Sequence, residues 1–114
     1  MGNIMSDPLS RTFQALADPT RRAILARIAQ GPVTVTDIVA AQALSQPAIS
    51  KHLKVLEAAG LVSRARDART RPCLINPEGL RAADAWIVGY RRFRDDASAG
   101  IDTMLTIPPA EDSR

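Results

Sequence analysis

Apolar side chains recur three and four residues apart through most of this chain, the spacing that puts one buried face on an α-helix. Pro8 to Ala17 carries Leu9, Thr12, Phe13, Leu16 and Ala17 on one side. Asp18-Pro19 opens a second helix: the aspartate can accept hydrogen bonds from free N–H groups, and proline suits the first helical position. That helix turns Ile24, Leu25 and Ile28 inward and stops at Gly31-Pro32. Thr34 caps a third, short helix through Ala40 or Ala41 with Ile38 inward, and Gln42 to Leu44 makes a turn. Ser45 then caps a helix running to about Ala59, with Pro47 in its first turn and Gly60 as its stop. Ile49, Leu53 and Leu56 form its apolar side; Gln46, Ser50, Lys51, Lys54 and Glu57 lie on or near the other.

The pattern then changes. Leu61 to Arg66 and Arg71 to Ile75 predict two strands joined around Asp67-Ala68-Arg69-Thr70. Pro72 has no N–H for a ladder, which makes the second strand an edge strand. Asn76-Pro77-Glu78 caps a long helix through about Leu105, ended before Pro108-Pro109. Residues 1–7 are expected to be a flexible tail, 8–106 a single domain and 107–114 a disordered tail. Helix, helix, short helix, turn, helix, hairpin, helix is the order of a winged helix-turn-helix: mainly α with a small β-hairpin, extended by a helix at each end.

Composition sharpens this. The chain has 114 residues, 46% hydrophobic but only 4% aromatic, so its core must be built from Leu, Ile, Val and Ala. A chain this short buries a modest fraction of its surface, and self-association is a common remedy. The net charge is only +3, but its placement is uneven. Between Ser45 and Asn76 stand six basic residues (Lys51, Lys54, Arg64, Arg66, Arg69, Arg71) against two acidic ones (Glu57, Asp67). A basic excess concentrated on one motif is an electrostatic footprint for nucleic acid. One cysteine allows no internal disulfide, and one histidine with no convergent acid–base or nucleophile cluster argues against an enzyme. No apolar run approaches the ~20 residues that cross a bilayer, and no signal-like stretch opens the chain. The expectation is a cytoplasmic protein with no membrane partner.

In a helix-turn-helix the second helix enters the major groove and its N-terminal residues meet base edges. Gln46, Ser50 and Lys51 occupy such positions, and Ala48 is small enough to touch a thymine methyl. Lys54 and His52 are placed for phosphate, although His52 beside Leu53 also suits packing. Arg64, Arg66, Arg69 and Arg71 on the wing would clamp the DNA backbone or minor groove; the alternative is that they keep an edge strand soluble. Arg21 and Arg22 open the second helix, where either phosphate contact or an intramolecular ion pair is open to them. The last helix repeats Leu80, Ala83, Ile87, Tyr90, Ala97, Ile101 and Met104, flanked by Trp86 and Phe93. This stripe exceeds what a small core needs. With Leu9, Phe13 and Leu16 of the first helix it is expected to bury against a second copy, which also places two reading heads on a palindromic operator in double-stranded DNA; the alternative is that the stripe folds back on its own domain. A winged helix used purely for protein contact is the competing possibility.

The segments Phe13-Gln-Ala-Leu-Ala-Asp-Pro-Thr-Arg-Arg-Ala-Ile-Leu25, Leu44-Ser-Gln-Pro-Ala-Ile-Ser-Lys-His-Leu-Lys-Val-Leu56 and Ala59-Gly-Leu-Val62 closely resemble the ArsR family of bacterial and archaeal winged-helix repressors. The resemblance covers about residues 8–105. It implies a homodimer formed through the first and last helices that binds operator DNA and represses its own operon. Many members sense metals, but the two cysteine positions of the family's best-known thiol site fall on Thr34 and Thr36 here. The Asp-x-His of its last-helix site falls on Asp84-Ala-Trp86, and Cys73 lacks the partner that sulfur-responsive members require. The chain thus resembles the branch without recognised metal motifs; no cofactor is expected, and any small-molecule effector is undefined.

Overall fold

The computed structural model describes residues 7–66 and 69–105, with side chains described as far as Arg91. Most of the expected tails, the loop residues Asp67 and Ala68, and the side chains of Phe93, Ala97, Ile101 and Met104 lie outside the described residues. The elements are α1 (Pro8–Leu16), α2 (Pro19–Ala29), α3 (Val35–Gln42), α4 (Gln46–Ala58), β1 (Val62–Arg64), β2 (Cys73–Ile75) and α5 (Pro77–Leu105). This is a mainly helical winged helix-turn-helix with a two-stranded antiparallel hairpin.

Each of the first four helices begins on a short polar side chain that accepts a backbone N–H three residues on: Asp7 from Ser10, Asp18 from Arg21, Thr34 from Asp37 and Ser45 from Ala48. The Arg21 N–H bond, helped by the nearby Arg21 and His52 side chains, holds the Asp18 carboxyl below its ordinary value of 3.8. A depressed carboxyl stabilises the fold above its unfolded pKa, and that contribution is lost as pH falls through the folded value. Asn76 Oδ1 accepts the Glu78 N–H at 3.1 Å and starts α5 in the same way.

The periodic residues meet where expected. Ile24 and Ile28 of α2, Ile38 of α3, and Ile49, Leu53 and Leu56 of α4 are at most 2% exposed and form the centre of one core. Each is worth roughly 1.5–3 kcal/mol of burial. The turn between α3 and α4 passes through Ala43 in the left-handed region, φ 55° and ψ 36°. A Cβ there is unfavourable, so Ala43→Gly should raise stability by about 0.5–1 kcal/mol, net of the extra freedom glycine gives the unfolded chain. A urea midpoint at or below the wild-type value would show that the turn is not strained.

The hairpin differs from the sequence expectation in two respects. Its strands are shorter, three residues each, with Val62 opposite Ile75, Ser63 opposite Leu74 and Arg64 opposite Cys73. The second strand is also not an edge along its whole length. Val33, just after α2, exchanges both backbone hydrogen bonds with Cys73, at 2.7 and 3.2 Å. Only Pro72, one residue earlier, follows the edge rule: it lacks the donor, while its carbonyl still accepts the Ala65 N–H.

Contacts group the chain into two compact units, one ending at Ala83 and one beginning at Asp84. The reason lies in burial along α5. Ala83 is 4% exposed, whereas residues 84–91 are all exposed.

Candidate nucleic-acid interface

The α4 helix is fixed at its C-terminus by its own sequence. Gly60 sits at φ +75°, its N–H bonds the Glu57 carbonyl, and the Leu61 N–H bonds the Leu56 carbonyl. This is a Schellman motif, with the fully buried Leu61 sealing it. Two further carbonyls there are taken by other elements. The buried Thr12 hydroxyl of α1 donates to Ala59 O at 3.0 Å, and the Gly79 N–H of α5 donates to Gly60 O at 2.9 Å. Buried along one face and tied down at one end, α4 presents its remaining face to solvent.

On that face Gln46, Lys51 and Lys54 are exposed, while Ala48, Ser50 and His52 are half-buried at its margins. The three exposed side chains supply an amide that can pair with a base edge and two cations beside it. The wing lies next in sequence. Arg66 and Arg69, flanking the loop, are exposed. Arg64 and Arg71 are engaged within the hairpin: Arg64 Nε donates to Arg71 O at 2.8 Å, and Arg71 Nε to Ala65 O at 3.4 Å. Of the four arginines grouped by sequence, Arg64 and Arg71 are thus tied by their Nε–H groups to hairpin carbonyls, Arg71 remaining exposed like Arg66 and Arg69.

Arg21 and Arg22 are employed inside the chain as well. Arg21 donates to the carbonyls of Ala15 and Gln14 at 2.8 and 2.9 Å, and Arg22 to that of Leu16 at 2.7 Å. They neutralise the carbonyl end of α1, a favourable place for cations. Among the described residues the hydrogen-bond partners of both side chains are backbone carbonyls.

Of the residues expected at a dimer surface, Leu9, Phe13 and Leu16 are half-buried. Leu80, Ile87 and Tyr90 are 39%, 46% and 52% exposed, with Trp86 and Val88 at 48% and 47%. Ala83 is an exception, since its side chain is already covered within the chain. The Ile101 side chain lies outside the described residues. Trp86 and Tyr90 stack at a tilt of 60° with ring centroids 4.5 Å apart.

Among the described residues, no three His, Cys, Asp or Glu side chains come together to hold a metal. Thr34 is spent as the cap of α3, and Asp84 is exposed. Cys73 is fully buried, and burial pushes its thiol above the usual range. Its backbone bridge to Val33 makes it a packing residue of the sheet.

The family model described as bacterial regulatory protein, arsR family, matches residues 18–64, from the cap of α2 to the end of β1. The HTH-type transcriptional regulator Rv2034 of Mycobacterium tuberculosis is 46% identical over 101 residues, covering 82% of this chain and 92% of that protein. The chain belongs to the ArsR family. A probable mercury resistance operon repressor of Streptomyces lividans is 34% identical over 108 residues, 95% of this chain and 84% of its own. Among solved structures, an ArsR family transcriptional regulator matches with a TM-score of 0.71 at 36% identity, covering 78% of this chain and 98% of that one. The homodimeric winged helix-turn-helix DNA-binding domain of a possible ArsR-family regulator from Mycobacterium bovis matches with a TM-score of 0.61 at 26% identity, over 80% and 93% of the two chains. As an ArsR-family protein this chain is a DNA-binding transcriptional regulator, in a family of regulators and not of enzymes.

Three contributors to the site were not singled out from sequence: Glu57, Thr12 and Gly79. Thr12 fell on the apolar side of the first helix, which signals burial but not its acceptor. Glu57 and Arg64 are joined by an ion pair across the end of α4, where no helical or strand period relates two positions.

Proposed function

We propose that this chain acts as a homodimer that binds a palindromic operator and represses its own operon, with α4 in the major groove and the wing on the flanking backbone. One observation carries the proposal: Gln46, Lys51 and Lys54 stand exposed on a helix whose opposite face and C-terminus are anchored in the core. In this arrangement Gln46, Ser50 and Lys51 read bases, Ala48 meets a thymine methyl, and Lys54 and His52 approach phosphate. Arg66 and Arg69 hold the backbone. Arg21 and Arg22 are left out of it, because their guanidinium groups already serve the end of α1. The dimer is supported by the exposed apolar residues of α5, and by the open apolar groove that Leu16 and Leu80 line with Leu25, Ala26, Ala29 and Ile75. The homodimeric relative supports the same assembly. The M. bovis domain is described as homodimeric; two copies of this chain would set two α4 helices about one turn of DNA, ~34 Å, apart. Thr34, Thr36 and Trp86 stand where the family's cysteine and histidine ligands would, although Asp84 keeps the aspartate; this supports a regulator that does not sense metals, which we place in the cytoplasm.

The test is titration of the full-length protein with duplex from its own upstream region at several salt concentrations. Affinity should fall steeply with salt, by about 0.9 in log–log slope per phosphate contacted. Ser50→Ala with Lys51→Ala should remove preference for that duplex over unrelated DNA, at about 1–3 kcal/mol per lost base contact, while the circular dichroism spectrum stays the same. No binding at low salt would favour a winged helix that contacts proteins. Unaltered preference would remove α4 as the reading helix.

A further inference from the structure

A chain of polar contacts runs from α4 into the wing. Arg64 Nη1 stands 3.6 Å from Glu57 Oε2, with the two side chains 22% and 35% exposed. The same guanidinium gives its Nε–H to the Arg71 carbonyl at 2.8 Å, and Arg71 Nε returns to the Ala65 carbonyl at 3.4 Å. Arg71 has φ +47°, a left-handed conformation that L residues avoid, and it precedes a proline, which restricts it further. Such a residue persists only where its surroundings determine it. The ladder between β1 and β2 is three residue pairs long, little to hold a hairpin at a set angle.

We infer that Glu57, Arg64 and Arg71 form a strap that sets the wing against the recognition helix, so that Arg64 is a positioning residue and not a phosphate ligand. This rests on the wing being a DNA contact, as proposed above. The strap fixes where β1 leaves α4 and holds the Arg71 carbonyl on the Arg64 guanidinium, and the exposed Arg66 and Arg69 then project from a defined base. Glu57 makes the idea decidable. It is an acid close to a surface meant for a polyanion, and on charge alone its removal should tighten DNA binding. If it positions the wing, its removal loosens binding instead.

The experiment compares wild type with Glu57→Gln by amide hydrogen exchange without DNA and by duplex titration at several salt concentrations. The Ala65 amide, bonded to Pro72 O at 3.0 Å, should exchange at least about threefold faster, while the Leu53 amide in the core of α4 keeps its protection. Duplex affinity should fall about two- to fivefold, the range a partly exposed ion pair supplies, without a steeper salt slope. Arg64→Lys, which keeps a charge for phosphate but loses the Nε donor, should weaken binding in the same way. Unchanged Ala65 exchange overturns the strap, as does a parallel rise at Leu53. So does tighter binding with a slope steeper by about one contact, which would mean that Glu57 had been withholding Arg64 from phosphate. Wild-type affinity retained in Arg64→Lys also overturns it. If wild type itself ignores duplex DNA, the functional proposal has failed, and the exchange measurement alone decides on the strap.

Discussion

Ile87→Asp combined with Tyr90→Asp should convert the proposed dimer to monomers and weaken operator binding by at least about a hundredfold. Trp86, Ile87 and Tyr90 are each close to half exposed in the single chain, three large apolar side chains on one side of α5. Contiguous apolar surface of that kind marks an interaction site. In a symmetric interface each side chain is buried twice, once per copy. At roughly 1.5–3 kcal/mol for fully burying such a side chain, losing the exposed half of both residues from both copies removes about 3–6 kcal/mol, roughly two to four decades in the dimer dissociation constant. Two introduced carboxylates per subunit add desolvation to that loss. Operator binding falls with it because a monomer has one reading helix and no partner to raise the local concentration of the second. Light scattering checks the mass, and Trp86, the single tryptophan of the chain, reports its own exposure as a red shift in fluorescence. A dimer that survives would move the interface to Leu9, Phe13 and the groove beside Leu80.

The same α5 stripe shows how far a sequence carries. Its spacing announced an apolar face, and Leu80, Ile87 and Tyr90 are indeed open. Ala83 lies on the same stripe but is buried within its own chain, and periodicity alone does not distinguish what an apolar face packs against. Helix starts were legible because each cap is a local contact: Asp18, Thr34, Ser45 and Asn76 bond N–H groups two or three residues on. The end of α4 was legible for the same reason, since Gly60 supplies the left-handed residue its motif needs. Long-range pairing was not. Val33 reaches Cys73 across forty positions, and that contact turns an expected edge strand into one paired on both sides at Cys73. Charge was legible as a sum and not as a role. Arg21, Arg22, Arg64 and Arg71 donate to nearby carbonyls that sequence spacing does not reveal, although Arg22 and Arg71 stay as exposed as Arg66 and Arg69.

Gly79→Ala should destabilise the fold by about 2–4 kcal/mol and lower the thermal midpoint by about 10 °C, although alanine is the better helix former. Gly79 lies in the first turn of α5, buried against the end of α4. A Cβ at this position would lie 2.8 Å from both the Ala59 and the Gly60 carbonyl oxygens. Those oxygens are backbone atoms with no rotamer to move. The Gly60 oxygen accepts the Gly79 N–H and the Ala59 oxygen accepts the Thr12 hydroxyl. Making room therefore means parting α5 from α4 and stretching the bonds that close the recognition helix, so the loss combines overpacking with unpaired buried groups. Gly89 supplies the contrast. It lies in the same helix with nothing among the described residues within 4 Å of where a Cβ would stand, and Gly89→Ala should gain up to about 1 kcal/mol from helix propensity. Thermal unfolding of the two variants beside wild type separates close approach from propensity. If Gly79→Ala melts with or above wild type, α5 does not begin against the end of α4, and Thr12 and Gly60 lose their part in holding the reading helix.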